Sequence, residues 1–186
     1  MWSVDWGDRF ERLFADLEVT LDAQERAVRD AEVADRTRRE RARIELAGRL
    51  CAHRGLTIDL RLVGGARAHG RLVDVGADWL AVAPTEQRGS IIPLAAITSI
   101  AGLGPRSEAA TTARRFGLGY ALREVSRDRR RAQVIDVVGN AFEGTIDIVG
   151  ADFLDLAEHP VDEARRAPNV RSIRTLPFAA IACVTS

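Results

Sequence analysis

The segments "GADWLAV", residues 76–82, and "GADFLDL", residues 150–156, are nearly one phrase written twice. Whether they mark a repeated unit decides how the chain folds. An offset of 74 residues pairs Val63 with Val137, Gly65 with Gly139, Gly70 with Gly144, Leu72 with Ile146 and Gly76 with Gly150. The same offset pairs Ala77, Asp78, Trp79 and Leu80 with Ala151, Asp152, Phe153 and Leu154. The match then slips by ten residues, and "IIPLAAITSI" at 91–100 returns as "TLPFAAIACV" at 175–184, with Pro93 facing Pro177. Agreement at both ends favours internal duplication over coincidence of composition.

Each unit reads as β structure, because "LTIDLRLV" and "QVIDVV" partly alternate apolar with polar residues and the following segments are rich in Val and Ile. Strands are predicted at 57–63, 68–75, 78–83, 90–93 and 96–101, and again near 133–138, 142–149, 152–157, 172–176 and 179–184. "GG" at 64–65 and "GN" at 139–140 supply turns that accept positive φ. Gly70 and Gly144, inside the second strand of each unit, point to a sharp bend or a close backbone approach. Trp79 and Phe153 are expected to occupy equivalent inward positions.

A helix is expected before each unit. In "RARIELAGRLCAHRG", residues 41–55, Ile44, Ala47, Leu50 and Cys51 follow helical spacing and Gly55 is a plausible stop. Before the second unit, "GYALREVSRDRRR" at 119–131 offers Tyr120, Leu122 and Val125 as a shorter face. From Trp6 to Arg54 there is no proline, while Phe10, Leu13, Leu17, Leu21, Gln24, Val28 and Ala31 recur at steps of three and four. This is a coiled-coil-like stripe on a charged helix, paired over 8–30, and it serves either self-association or folding back on the rest of the chain.

The leading helix, the "GRL" of 70–72, the "GADWL" strand start and the closing "RGSIIPLAAI" of 88–97 together resemble the Sm-like small-barrel fold. The resemblance covers both units. It implies a first five-stranded Sm-like β-barrel with its helix at 42–104 and a second at 119–186; with the charged amphipathic helix at 1–41, an arginine-containing linker at 105–118 and the loop insertion at 158–172 where the repeat slips, the chain reads as an α+β protein. It also implies edge pairing between barrels and, in many members, binding of single-stranded RNA. Arg88 and Gly89 match the family's late Arg-Gly pair. Ser172 and Ile173 stand there in the second unit, and the earlier loop lacks the expected asparagine, so the fold is the better inherited part.

The chain has 186 residues, 46% of them hydrophobic, which is ample for a globular core. Its 27 basic residues, all arginine, balance 27 acidic ones, so attraction to a polyanion requires a local patch. The start has no basic region followed by an apolar run, and no stretch approaches the roughly 18 apolar residues of a spanning helix. A cytoplasmic protein with no membrane partner is expected. Cys51 and Cys183 are too far apart for a metal-ligand spacing and read as reduced core thiols.

Two arginine runs are candidates for nucleic-acid contact: Arg36, Arg38 and Arg39 in "DRTRRERAR", and Arg114, Arg115, Arg129, Arg130 and Arg131 between the units. Arg88 joins them through the resemblance. Against them, Glu40 and Glu45 interrupt the first run, and Asp59, Asp74, Asp78, Asp147, Asp152 and Asp155 would repel a phosphate backbone. His53, His69 and His159 lack companions at metal-ligand spacing. No phosphate loop or nucleophile elbow is present, so no catalytic residue, cofactor or metal is assigned. The remaining surfaces are partner contacts: Phe10, Leu13, Leu17 and Leu21 on the helix, and Asp162, Arg165 and Arg166 in the insertion. The reading is a non-catalytic interaction or assembly protein that binds itself or another protein, with single-stranded RNA or DNA binding as the alternative.

Overall fold

The computed structural model describes residues 6–85, 88–108, 115–159 and 169–186. The chain divides into two compact units, Met1–Ile44 and Glu45–Ser186. The first contains α1 (Trp6–Ala42), a 37-residue helix. The second carries α2 (Leu46–Cys51), α3 (Leu118–Arg127) and ten strands: β1 (Thr57–Leu62), β2 (Arg67–Val75), β3 (Trp79–Thr85), β4 (Arg88–Pro93), β5 (Ile97–Ala101), β6 (Arg131–Asp136), β7 (Ala141–Val149), β8 (Phe153–Glu158), β9 (Ser172–Pro177) and β10 (Ile181–Thr185).

These strands form one open antiparallel sheet in the order β5-β1-β2-β3-β4-β10-β6-β7-β8-β9. The expectation of two five-stranded Sm-like barrels, each with a leading helix, is therefore overturned. A barrel in the first half needs β4 to close onto β5, but β4 pairs with β10 instead, Ile91 opposite Val184 and Ser90 opposite Thr185. β10 in turn pairs with β6 and leaves β9 at the far edge. Among the described residues no closed small barrel forms, for the same reason. The coiled coil is corrected too: among the described residues of the chain α1 has no second long helix to wind against. α2 has 6 residues and α3 has 10, and Leu21, Gln24 and Val28 of the proposed seam are exposed.

Local chemistry repeats across the sheet. Gly76 donates to the Trp79 carbonyl and Gly150 to the Phe153 carbonyl, both at 2.8 Å. Bulges interrupt β2 between Leu72 and Asp74 and β7 between Ile146 and Ile148, where the strands bend. Gly144 permits a close approach of two backbones: a Cβ there would lie 2.1 Å from the Ala157 carbonyl oxygen.

The core has two parts that interlock at the β4·β10 seam. Leu50, Ile58, Leu60, Leu72, Leu80 and Ile92 fill the first, which also holds Cys183 from the other half of the chain. Leu122, Val134, Ile146, Leu154 and Leu156 fill the second, together with Trp79 from the first half. Trp79 is 6% exposed, and its indole N–H donates to the Phe116 carbonyl at 2.9 Å. Beside it the Asp78 carboxylate accepts the Leu118 amide at 2.7 Å, which satisfies one of the free donors at the start of α3. Phe153, at the corresponding place in the second half, is half-buried and has no N–H to offer.

Two substitutions test this packing by urea unfolding of the full chain. Gly144→Ala is expected to lower stability by about 1–3 kcal/mol through backbone overpacking. Trp79→Phe keeps most of the ring volume but loses the bond to Phe116, at an expected cost of about 1 kcal/mol. An unchanged midpoint would contradict the close backbone approach at Gly144 in the first variant and the indole bond to Phe116 in the second.

Candidate functional site

The arginines singled out in the sequence are mostly matched locally. On α1, Arg36 pairs with Glu40 at 3.1 Å, Arg38 lies 3.7 Å from Asp35, and Arg39 also bonds Asp35. Arg130 lies 3.9 Å from Asp128, and Arg131 lies 3.3 Å from Glu143. Arg129 adopts φ 49° just after α3, and Arg115 is exposed. Arg88 and Arg131 line one hollow of about 250 Å³, shared with Gln133, Glu143 and Ser186. The Glu143 carboxylate there accepts Gln133 Nε2 at 3.0 Å, so the hollow mixes charge signs.

Arg114, Asp162, Arg165 and Arg166 lie outside the described residues, as do the side chains of Phe10, Leu13 and Leu17 on α1. Leu21 is exposed. Of the candidates in the second unit, Arg88 and Arg131 are brought together in that hollow.

The histidines have structural partners. His53 is buried; Nδ1 lies 2.6 Å from the Arg49 carbonyl as donor, and Nε2 accepts the Gly104 amide at 2.8 Å. His159 Nε2 meets the Thr145 hydroxyl at 2.9 Å, both groups buried. Exposed His69 pairs with Asp59 across β1 and β2 at 2.6 Å. Burial pushes the Cys51 and Cys183 thiols up from their ordinary range, which keeps them protonated and weakly nucleophilic. Among the described residues no three His, Cys, Asp or Glu side chains come together in a metal-binding group. No helix among them is long and apolar enough to cross a membrane.

The sheet ends in β5 on one side and β9 on the other. Among the described residues β5 pairs with β1 alone, and β9 with β8 alone. Along β9, Arg174 stands 4.2 Å over the Phe142 ring and bonds Glu158 at 2.6 Å, while Thr175 bonds Asp155 at 2.6 Å. The bonds from Arg174 and then Ser172 hold the Glu158 carboxyl below the usual range. Beside β5, Arg61 faces Arg67 on one side and Ser99 on the other, all three exposed. The Thr98 hydroxyl bonds the Arg61 carbonyl at 2.9 Å, within the irregularity that shifts the β1·β5 register. Sequence reading missed this basic row, although Arg61 and Arg67 stand at equal distances from Gly64 in the hairpin "RLVGGAR".

Compared with known proteins, the chain matches no family model, no curated protein and no solved structure.

At the β6–β7 turn the Asp136 carboxylate accepts the amides of Val138, Gly139 and Asn140, and the Asn140 side chain at 2.8 Å. The Asn140 side-chain bond is the main reason its pKa falls below the ordinary value. A depressed folded-state value stabilises the turn above the unfolded-state pKa, and that contribution disappears as pH falls through the folded-state value. Asp136→Ala is expected to unfold earlier than wild type in urea at pH 7, with the gap narrowing below about pH 4. A gap independent of pH would show that the carboxylate charge is not what holds the turn.

Proposed function

We propose that this chain is a non-catalytic protein-interaction module that takes up an extended segment of a partner at an open edge of its sheet. The observation that carries this reading is the pairing pattern: among the described residues β5 and β9 each have one strand neighbour, while the β4·β10 seam joins two edges by the same chemistry inside the chain. An edge strand presents a row of unpaired N–H and C=O groups, and main-chain hydrogen bonds to an added strand use them. The local pairing of Arg36, Arg38, Arg39, Arg130 and Arg131 with carboxylates gives the nucleic-acid alternative less to work with.

The test is photo-crosslinking in cells of the full chain carrying benzoylphenylalanine at Ser99 on β5, at Thr175 on β9, or at exposed Glu124 on α3 as control. Discrete protein adducts are expected from at least one edge position and not from Glu124. Equal labelling at all three positions, or none at either edge, would sink the strand-addition reading.

A further inference from the structure

The seam shows what an edge of this sheet accepts. β4 and β10 correspond by position to β9 and β5, each at an offset of 84 residues. Val184, Cys183 and Thr185 of β10 thus correspond to Ile100, Ser99 and Ala101 of β5. On β10, Val184 faces Ile91 of β4, and Cys183 stands beside Ile135 with both packed against the first core. On β5, Ile100 likewise packs against that core, but Ser99 is exposed and stands beside Arg61. One face of the edge has stayed apolar and the other has become basic.

The basic face is uncompensated within the described residues. Arg61 and Arg67 are cross-strand neighbours, a like-charge arrangement that is unfavourable by itself. Neither makes an ion pair with a described carboxylate. A residue of an added strand opposite Ser99 would sit about 10 Å from Arg61, two strand spacings away and within reach of a guanidinium extended over Ser99. The next position differs, because Ala101 stands beside Asp59, whose carboxylate bonds His69.

Resting on the strand-addition reading, we infer that β5 docks an antiparallel segment of a different protein, reading in chain order a non-acidic residue opposite Ala101, an apolar one opposite Ile100 and an acidic one opposite Ser99. A second copy does not fit. Its β9 would bring Thr175 against Ile100 and buried Leu176 against Ser99, with Arg174 already engaged by Glu158 and Phe142. Its β4 is occupied by β10. The main-chain geometry follows from the seam. Gly89 and Ser186 exchange both N–H···O bonds, so alternation makes Ile91 and Val184 the next such pair. The N–H and C=O of Ile100 correspondingly face away from β1.

The probes are labelled peptides of the β4 sequence, residues 88–94, bearing either Ile92→Glu or Ile92→Arg, titrated by fluorescence anisotropy against the full chain. The Glu peptide is expected to bind roughly fivefold more tightly than the Arg peptide, the scale of one exposed ion pair. Arg61→Glu in the protein is expected to reverse that preference, and Arg61→Gln to erase it. N-methylation of the peptide at Ile91 is expected to abolish binding. The inference is overturned if neither peptide binds, if affinity ignores the charge at residue 61, or if a photoreactive peptide labels β9. It also falls if single-stranded RNA, not peptide, loses affinity in Arg61→Glu. Failure of the peptides with Ser99 photo-adducts retained removes the acidic chemistry and leaves strand addition; loss of both removes both.

Discussion

The contact between β4 and β10 determines most of what is distinctive here. It is short, Ile91 against Val184 and Ser90 against Thr185, and is extended by the reciprocal bonds of Gly89 and Ser186. Its influence comes from what it displaces. With β4 taken by β10, neither half can close on itself, and the two strands left over become the ends of a single sheet. It also lets each core borrow a side chain, Cys183 in one direction and Trp79 in the other. Neither half has its full complement of buried surface without the other.

The same contact explains the chemical contrast between inner and outer strands. β10 lies in mid-sheet and presents Ile181, Ala182, Cys183 and Val184, all buried. Its counterpart β5 lies at an edge and carries exposed Thr98 and Ser99. On the other side, half-buried Ala81 and Ile91 of the first half give way to Asp155 and Thr175, which bond each other. Polar side chains at an edge discourage indiscriminate pairing while leaving main-chain groups free for a matched partner. The basic row contrasts with Arg36, Arg38, Arg39 and Arg131, each of which sits beside a carboxylate.

Local features of this arrangement were readable in the sequence. The glycine turns at 64–65 and 139–140, the strand positions and the inward Trp79 are set by residues close together, and periodicity reports such short-range constraints. Strand partnership is not of that kind. The choice of β4 between β5 and β10 depends on side chains far along the chain, and an apolar run such as "IACV" says only that a strand is covered, not by what. The stripe on α1 misled for a related reason. Leu21 and Val28 keep a heptad interval, but spacing cannot supply the second long helix that a coiled coil needs. The basic row at Arg61 and Arg67 was hidden because neither residue belongs to an arginine run; only the hairpin register sets them side by side.

The distance along the chain between β4 and β10 has a consequence for synthesis. At about 5–20 residues per second, the roughly 90 residues separating them take on the order of 5 to 20 seconds to emerge from a ribosome. For that interval the first half is present without Cys183 in its core and with β4 unpaired on one side. The nascent chain thus passes through a stage at which the strand edge carrying Ile91 is open to foreign strands. Crowded synthesis and slow translation through residues 94–180 are the conditions under which chaperone cover matters most to this protein.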